Sequence, residues 1–469
     1  MSRTALISVS DLHLTTHYIR RPKNVSLVTR MWKRMVGKDE EMVEDVNPLD
    51  DFPKEHEEMF DRLLKKLAVY FASYERVILL LNGDVFDLIF SHIVHEEGAV
   101  QNMQKIIVSN PIFFTALGDW LREPRHEIVI TTGNHDVELN WSGVQAVVRQ
   151  AIEDAAYGME VECARLHFVD YTDSYIFQVG PVLFTHGNEA DVLNMTSSPL
   201  IVTKSRLGLP LDAPEMRIPL GSTATVEIVY PVKMRHAAIG RELDVRRIVK
   251  YFALHDLTTG LYMEWRFWVF LAWYFVDAFR KGSVLQFLRR IGHISMLPFV
   301  KDSSDIAFAR KLMRTHDVKL VVMGHTHKAG IHTLEEGMYF NSGTWSALTR
   351  YKTPEIQLKW RKLRTLEYVF RLFVHYIRSR ERFIVGVLFT VFYAYVLFRL
   401  GFWWGVGYLV VSFLMFLGSL IATKPYIERW VRPTFVMATF EDEKEEQTLQ
   451  AGLYMCDEGS EQGFRQYLG

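Results

Sequence analysis

Five short runs of Val, Ile and Leu in this chain each end abruptly at a small group of Asp, His, Asn or Gly. Continuous apolar runs of this kind are typical of strands that are buried on both faces of a parallel sheet. Such sheets carry their chemistry just beyond the carboxyl ends of the strands, so we expect the five polar groups to meet there. In chain order these groups are Asp11-Leu-His13, Gly83-Asp84-Val-Phe-Asp87, Gly133-Asn134-His135-Asp136, His186-Gly187-Asn188 and Gly324-His325-Thr-His327.

Between these runs, apolar residues recur at helical spacing, so strands and helices alternate as in an α/β fold. The stretch from Phe60 to Tyr74, with leucines on one face, is predicted to be the first helix that connects two strands. We assign residues 1–352 to one α/β domain that contains two insertions, at 17–55 and at 195–300.

The two insertions allow two interpretations each. Residues 17–55 are basic at first and acidic afterwards, which fits a solvated surface loop or a lid whose arginines meet an anionic substrate. Residues 195–300 include the run Trp265 to Val276, which is apolar nearly all round yet too short to cross a bilayer. We expect this run to be a buried helix of a cap subdomain; the alternative is an interfacial helix that docks on lipid.

After Tyr351 the pattern changes. Residues 353–382 are predicted to form a basic amphipathic helix, and residues 383–423 contain a single charged residue, Arg399. Basic residues flank both ends of this apolar segment, which favours a transmembrane hairpin with both ends in the cytoplasm. A buried helical hairpin in a soluble dimer is the alternative. Residues 424–469 form the C-terminal segment, in which the part from about Val431 on is expected to begin with a short strand and to end as an acidic, mostly polar tail.

Composition adds three limits. The formal net charge is -1, so no global field attracts nucleic acid or a membrane. Cys163 and Cys456 are the two cysteines of the 469 residues, which excludes a disulfide framework and a cysteine zinc site. The chain enters a strand almost at once, so we expect no secretory signal. These features predict a protein on the cytoplasmic side of a membrane, such as the bacterial inner membrane.

Together the five polar groups offer imidazole, carboxylate and amide ligands without a thiolate, a set that suits Mn, Fe or Zn. Two ions about 3.5–4 Å apart can hold the attacking and leaving oxygens of an in-line phosphoryl displacement, and water held between them loses a proton near neutral pH. A carboxylate must then bridge the ions, and Asp84 stands where a strand ends and the backbone turns. The sequence offers no convincing Ser-His-Asp or Cys-His alternative.

In this order, the five motifs resemble those of the calcineurin-like metallophosphoesterase superfamily over roughly the first 345 residues. The resemblance implies a two-sheet β-sandwich flanked by helices, here with a helical cap insertion and a C-terminal helical hairpin. It also implies two divalent metal ions, Mn foremost, with Asp84 as the bridge between them. By the same resemblance, the remaining ligands are Asp11, His13 and His327 for one ion, and Asn134, His186 and His325 for the other.

The resemblance also implies roles for residues that do not bind metal. His135 occupies the position of the general acid that protonates the leaving oxygen, and Asp136 is expected to orient its imidazole and support its charge. Asp87 is expected either to hydrogen-bond a ligand histidine or to cap the next helix. The segment Asn341 to Trp345 is similar to the strand and turn that follow the last motif, so we predict that it is structural.

The chain is also similar to UDP-2,3-diacylglucosamine hydrolases, which cleave a pyrophosphate in a membrane lipid. The similarity lies in the Gly-Asp-Val-Phe-Asp motif, the helical insertion and the apolar segment 383–423. Those enzymes commonly carry Arg at the position of His135, where His is typical of general phosphodiesterases and phosphatases. We expect a membrane-associated two-metal phosphoesterase whose substrate is a lipid-linked pyrophosphate such as a UDP-diacyl sugar. Cyclic-nucleotide or nucleic-acid hydrolysis is the alternative. A non-catalytic scaffold is a third class, against which the complete ligand set argues.

Overall fold

The computed structural model of the chain describes residues 2–16, 18–22, 42–46, 50, 52–91, 95–156, 165–169, 171, 174–196, 200–204, 210–233, 266, 269–270, 304–346, 348–352, 426–430, 432–442, 447–457 and 459–467. The chain divides into two compact units. The first unit consists of Met1–Leu243, Asp302–Thr349 and Arg429–Gly469, and the second of Asp244–Lys301 and Arg350–Glu428.

The described strands are β1 (Ser2–Val9), β2 (Tyr18–Pro22), β3 (Met42–Val46), β4 (Arg76–Asn82), β5 (His126–Thr131), β6 (Leu166–Val169), β7 (Phe177–Val179), β8 (Val182–Phe184), β9 (Ile201–Lys204), β10 (Pro210–Met216), β11 (Leu320–Met323), β12 (Gly330–Thr333), β13 (Met338–Asn341), β14 (Leu348–Lys352), β15 (Tyr426–Trp430), β16 (Thr434–Asp442), β17 (Gln447–Cys456) and β18 (Phe464–Gln466). The described helices are α1 (Lys54–Tyr70), α2 (Glu96–Ser109), α3 (Pro111–Leu121), α4 (Ser142–Ala155), α5 (Leu220–Ala224), α6 (Tyr230–Lys233) and α7 (Ser304–His316). A π-helical turn, Thr225–Val229, joins α5 to α6, and short 3₁₀ helices form at Leu88–Ser91, Val137–Asn140 and Asn188–Ala190.

Two sheets organise the first unit. The larger has seven strands in the order β18-β17-β16-β1-β4-β5-β6, in which β1, β4, β5 and β6 run parallel and β16, β17 and β18 add antiparallel. The second has five strands in the order β12-β13-β11-β8-β7, with β8, β11 and β13 parallel. Two-stranded sheets form from β2 with β3, β9 with β10 and β14 with β15.

The alternation of side chains along each strand explains the layers. Side chains of a strand point alternately to opposite faces. On β4, Leu79 and Leu81 belong to the core that also contains residues of α1 to α4, whereas Ile78 and Leu80 belong to another core. Apolar residues of both sheets share that second core: Leu6, Ile78, Leu80, Val129, Val182, Phe184, Leu320, Val322, Phe340, Val436, Ala438, Phe440 and Leu453. The chain is therefore a mixed α/β protein in which a large mixed sheet and a second sheet have an apolar layer in common.

Helix α1 begins earlier and ends earlier than predicted. The expected span was Phe60 to Tyr74, but the helix extends from Lys54 to Tyr70. Leucine spacing marks only the apolar stripe, and the first turn is charged instead. Its Glu57 is nevertheless buried, where the carboxylate accepts a hydrogen bond from the backbone N–H of Phe113 at 3.0 Å. Acidic side chains there favour the positive end of the helix dipole, so the polar turn is helical although it lacks the apolar signal.

The C-terminal region is not a polar tail. Its strands β16, β17 and β18 complete the large sheet, and β16 lies directly beside β1. Phe435 packs in the helix-side core and Val436 in the core between the sheets. The acidic run at 441–446 falls at the junction of β16 and β17, and this local charge is what made the region resemble a tail in the sequence.

Several predicted segments lie outside the described residues. These are the basic helix at 353–382, the hairpin at 383–423, most of the run Trp265 to Val276, and the arginine-containing residues 23–41 of the first insertion. Of the predicted insertion at 17–55, the structure shows β2 paired with β3. The helices in the described ranges include none with the length and apolar character needed to cross a membrane.

Phe435→Ala tests whether the C-terminal strands are part of the core. The side chain is fully buried, so its removal should lower the free energy of unfolding by about 3–5 kcal/mol. Val69→Ala, at a position 77% exposed on α1, is the control and should change it by less than about 0.5 kcal/mol. Denaturant unfolding followed by circular dichroism measures both; equal, small effects would mean that β16 contributes nothing to the fold.

Candidate metal centre

The five polar groups all follow parallel strands of the two sheets, namely β1, β4, β5, β8 and β11. The structure brings six of the seven predicted ligands into two groups, in each of which the potential ligand atoms lie within 4.8 Å of one another. These groups are Asp11 with His13 and His327, and Asp84 with His186 and His325. The two groups adjoin, because Nε2 of His13 is 3.8 Å from Oδ2 of Asp84.

The backbone at these positions is held in a conformation that side-chain-bearing residues rarely adopt. Among the described residues, six that are not glycine have a positive φ; Asp317 is one, and the other five are predicted ligands. Non-glycine residues in the left-handed region cost free energy and persist only where the surroundings enforce them. The five ligands and their φ values are Asp11 (55°), His13 (55°), Asp84 (49°), His325 (66°) and His327 (58°).

Asp84 lies between the two groups. Its Oδ2 atom is 3.3 Å from Nε2 of His186, and its Oδ1 atom accepts a hydrogen bond from the backbone N–H of His135 at 2.8 Å. Glycines leave room for this arrangement. A Cβ atom on Gly133 would stand 2.2 Å from Oδ1 of Asp84, and Gly83 has a left-handed φ of 75° beside the His186 ring. The carboxylate thus faces one histidine of each ligand group, His13 and His186.

Nε2 of His186 and Oδ1 of Asn134 are buried atoms of the predicted ligand set that have no hydrogen-bond partner among the described residues. Nδ1 of His186 donates to the carbonyl oxygen of Asn82 at 3.0 Å, so Nε2 is the nitrogen that faces Asp84, at 3.3 Å from its Oδ2 atom. Nδ2 of Asn134 donates to Oγ of Ser222 at 3.2 Å, which leaves Oδ1 without a partner. Buried polar atoms are normally satisfied, and these are an imidazole nitrogen and an amide oxygen beside carboxylates. The residues present therefore fit a divalent metal ion.

The loop after β8 links two predicted ligands. Oδ2 of Asp191 is 3.4 Å from Nε2 of His325, so Nδ1 of that ring remains for an ion. Asn194 donates to Oδ2 of Asp191 at 2.6 Å, and its Oδ1 atom accepts from Nδ2 of Asn134 at 3.4 Å. Burial acts to raise the pKa of Asp191, but the hydrogen bond and charge of His325 lower it overall. Such contacts orient metal-binding side chains.

Asp11 is held from several sides. Its Oδ2 atom accepts from Oγ of Ser10 at 2.5 Å and from the backbone N–H of His325 at 3.0 Å. The turn after β13 fixes its backbone, because Oγ1 of Thr344 donates to the carbonyl oxygen of Asp11 at 2.8 Å. Thr344 belongs to the segment that the sequence predicted as structural, and the segment supports the site in this way.

His135 is oriented by Asp87. Nδ1 of His135 is 2.9 Å from Oδ1 of Asp87 and donates to it, so Nε2 is the remaining nitrogen. The ring lies edge-on to that of His13, with centroids 4.8 Å apart. Asp87 was expected to hydrogen-bond a ligand histidine or to cap the next helix. It hydrogen-bonds the imidazole of His135, which is not a predicted ligand.

Asp136 does not have the role expected for it. Its carboxylate accepts hydrogen bonds from the backbone N–H groups of Gly133 at 2.6 Å, Val85 at 2.7 Å and Phe86 at 3.3 Å. The imidazole of His135 donates to Asp87 instead. The tight turn points the Asp136 side chain back into its own loop, away from the neighbouring imidazole. Asp136 thus joins the β4 and β5 loops.

Sequence reasoning missed several residues that contact the site. Oη of Tyr230 donates to Asp87, at 2.7 Å from each carboxylate oxygen. Ser222, Asp191 and Asn194 contact predicted ligands as described above, and Asn82 holds His186. Asp191 and Asn194 are close in sequence to the His186 motif, which is a weak signal. Tyr230 and Ser222 lie in the cap insertion and belong to no motif.

A scan of the chain against known protein families found no matching family, and a search of curated proteins found no match either.

The buried imidazole of His186 and the carboxylate of Asp84 form a charge pair in the protein without ions. Burial opposes both charges, but the positive charge of His186 lowers the pKa of Asp84 well below its ordinary value. Burial likewise acts to lower the pKa of His186, but the negative charge of Asp84 raises it to about 10. A proton therefore occupies Nε2 of His186 at neutral pH, where an ion would bind.

Metal binding at His186 should release a proton, so affinity should rise with pH. Because the pKa of His186 is about 10, the ion must displace a proton at any lower pH. Each further decrease of one pH unit should therefore lower the affinity for this ion about tenfold. Calorimetric titration of the metal-free protein with Zn²⁺ between pH 6.5 and 8.5, in buffers of different ionisation enthalpy, measures both quantities. Affinity independent of pH, with no proton released, would contradict the assignment of His186 as a ligand.

Proposed function

We propose that the chain is a two-metal phosphoesterase of the calcineurin-like class. The observation that carries this proposal is the pair of adjoining ligand groups with Asp84 between them. The proposal extends to the fold: the apolar layer shared by the two sheets is what a two-sheet sandwich of this class would need. The order of the motifs along the chain supports the same conclusion.

The ligand set suggests how the ions would be held. One ion would bind Asp11, His13 and His327, the other would bind Asn134, His186 and His325, and Asp84 would be shared. Mn²⁺ is the expected metal, and the same donors suit Fe or Zn. Bound ions would neutralise the phosphoryl oxygens and lower the pKa of water at the site.

The protein side chains would supply orientation and a proton. His135 is the proposed general acid, because Asp87 fixes its Nδ1 atom and leaves Nε2 for the leaving oxygen. The ring is 8% exposed, so it lies at the edge of the site. Asn134 and His325 are held in place by Ser222 and Asp191, which would keep both ligands in geometry suited to an ion.

We further propose that the substrate is a lipid-linked pyrophosphate and that the protein works at the cytoplasmic face of a membrane. The apolar segment 383–423 and the similarity of the motifs to UDP-2,3-diacylglucosamine hydrolases support this. The pairing of β14 with β15 adds to it, because these strands flank residues 353–425. The residues directly before and after that segment therefore pair in one two-stranded sheet, which agrees with an even number of membrane crossings.

Asp84→Asn and His135→Ala should separate metal binding from proton donation. Asp84→Asn removes the shared carboxylate and should abolish hydrolysis of every ester. His135→Ala should slow alkyl phosphodiesters by about 10²-fold or more and bis-p-nitrophenyl phosphate far less, because nitrophenolate leaves without a proton. Steady-state kinetics with Mn²⁺ measure both, with Asp119→Asn and His316→Ala as matched controls away from the site. Equal losses on both esters would remove the general-acid role, and unchanged turnover of Asp84→Asn would remove the two-metal proposal.

A substrate panel tests the finer proposal. With Mn²⁺ present, the protein should hydrolyse a UDP-linked diacyl sugar with a higher kcat/KM than cyclic nucleotides or single-stranded DNA. The expected cause is the fit of a pyrophosphate to two ions together with an apolar region for acyl chains. Preference for a nucleotide or for DNA would retain the two-metal chemistry and overturn the lipid substrate.

A further inference from the structure

A helical segment of the cap insertion contacts the candidate site. We call residues 220–233 the insertion helix; it consists of α5, the π-helical turn and α6. Two of its side chains are buried against site residues. Ser222 is fully buried and Tyr230 is 7% exposed.

Each of these two side chains bonds a different part of the site. Oγ of Ser222 accepts from Nδ2 of Asn134 at 3.2 Å and donates to the carbonyl oxygen of Asn134 at 2.7 Å. Oη of Tyr230 lies 2.7 Å from both carboxylate oxygens of Asp87. Since Oδ1 of Asp87 also accepts from Nδ1 of His135, the three side chains form one hydrogen-bonded series from Tyr230 to the imidazole.

The π-helical turn explains how one helix reaches both residues. Eight positions separate Ser222 from Tyr230, and an uninterrupted α-helix with about 100° per residue would set them about 80° apart around its axis. Hydrogen bonds from i to i+5 put more residues into each turn, so the segment Thr225–Val229 winds less per residue and brings the two side chains nearer to one face. Turns of this kind recur at functional sites.

We propose that Tyr230 is a positioning residue for His135, acting through Asp87, and that the insertion helix is therefore a part of the catalytic site. This inference rests on the proposed function. A carboxylate held by one hydrogen bond can rotate about its Cβ–Cγ bond. The hydroxyl of Tyr230 supplies a second contact that fixes the plane of Asp87, and the fixed plane keeps the ring of His135 directed at the leaving oxygen.

Tyr230→Phe tests the proposal because it removes the hydroxyl and keeps the ring. Loss of an orienting partner of this kind typically costs about 10-fold or more in activity. We expect such a loss of kcat on an alkyl phosphodiester and much less on bis-p-nitrophenyl phosphate, with KM unchanged. Added to His135→Ala, the substitution should cause no further loss, because its effect passes through that imidazole.

Tyr70→Phe is the matched control, because it removes a tyrosine hydroxyl elsewhere in the protein. Tyr70 is 49% exposed at the end of α1 and its ring packs against Phe71 and Phe464, so loss of its hydroxyl should leave both esters at the rate of the unaltered protein. Equal losses by Tyr230→Phe on both esters, or a loss that persists beside His135→Ala, would reduce Tyr230 to a packing residue and overturn the proposal.

A spectroscopic readout separates this proposal from the proposed function. In the full chain labelled with ¹⁵N-histidine and loaded with diamagnetic Zn²⁺, the Nδ1–H resonance of His135 is identified by its absence from His135→Ala. Tyr230→Phe should shift that resonance, because the Asp87 carboxylate loses a donor, and Tyr70→Phe should not. An unmoved resonance would overturn the role of Tyr230, whereas failure of the proposed function would appear separately, as absence of metal-dependent hydrolysis by the unaltered chain.

Discussion

The carboxylate of Asp84 connects the loops of the site to one another. One of its oxygens faces the imidazoles of His186 and His13, and the other holds the backbone of His135. Asp84 is buried and its backbone is left-handed. Any residue larger than glycine at position 133 would place its Cβ atom against this carboxylate. A buried charge is tolerated only when opposite charges and hydrogen bonds compensate it, so the surrounding histidines must gather around this group. The proposed ions would complete the same balance.

The predicted ligands could be found from sequence because each one directly follows a run of buried strand residues. Parallel strands end at the same edge, so five local signals define one place without any knowledge of the path between them. The partners of those ligands carry no such signal. Tyr230 and Ser222 reach the site through a helix whose winding changes at a π turn, and Asp191 depends on the course of a loop. The Asp136 prediction was wrong for a related reason: adjacency in sequence does not fix the direction of a side chain.

The fold was predictable where hydrophobic periodicity and burial coincide, as along β4, whose alternate residues enter two cores. The signal fails at ends and junctions. Helix α1 extends into a charged first turn because acidic side chains there favour the helix dipole and the buried Glu57 accepts a hydrogen bond from the backbone of Phe113, neither of which apolar spacing reveals. A short strand was expected where β16 begins, but strands β17 and β18 were missed because the acidic run at 441–446 outweighs the apolar residues that follow it. Local composition therefore predicts strands poorly wherever a charged turn separates two strands of the core.

The central strand β1 has neighbours from very different parts of the chain. On one side it pairs with β4, and on the other Ser8 lies opposite Val436 of β16. During synthesis the β4 side can form early, while the other edge of β1 stays open until residues 434–442 have been made. Contacts so distant in sequence form slowly, and an open strand edge can pair with another chain. Because Asp11 follows β1 directly, a nascent chain would complete both this sheet edge and the candidate metal centre only after residues 434–442 have been made.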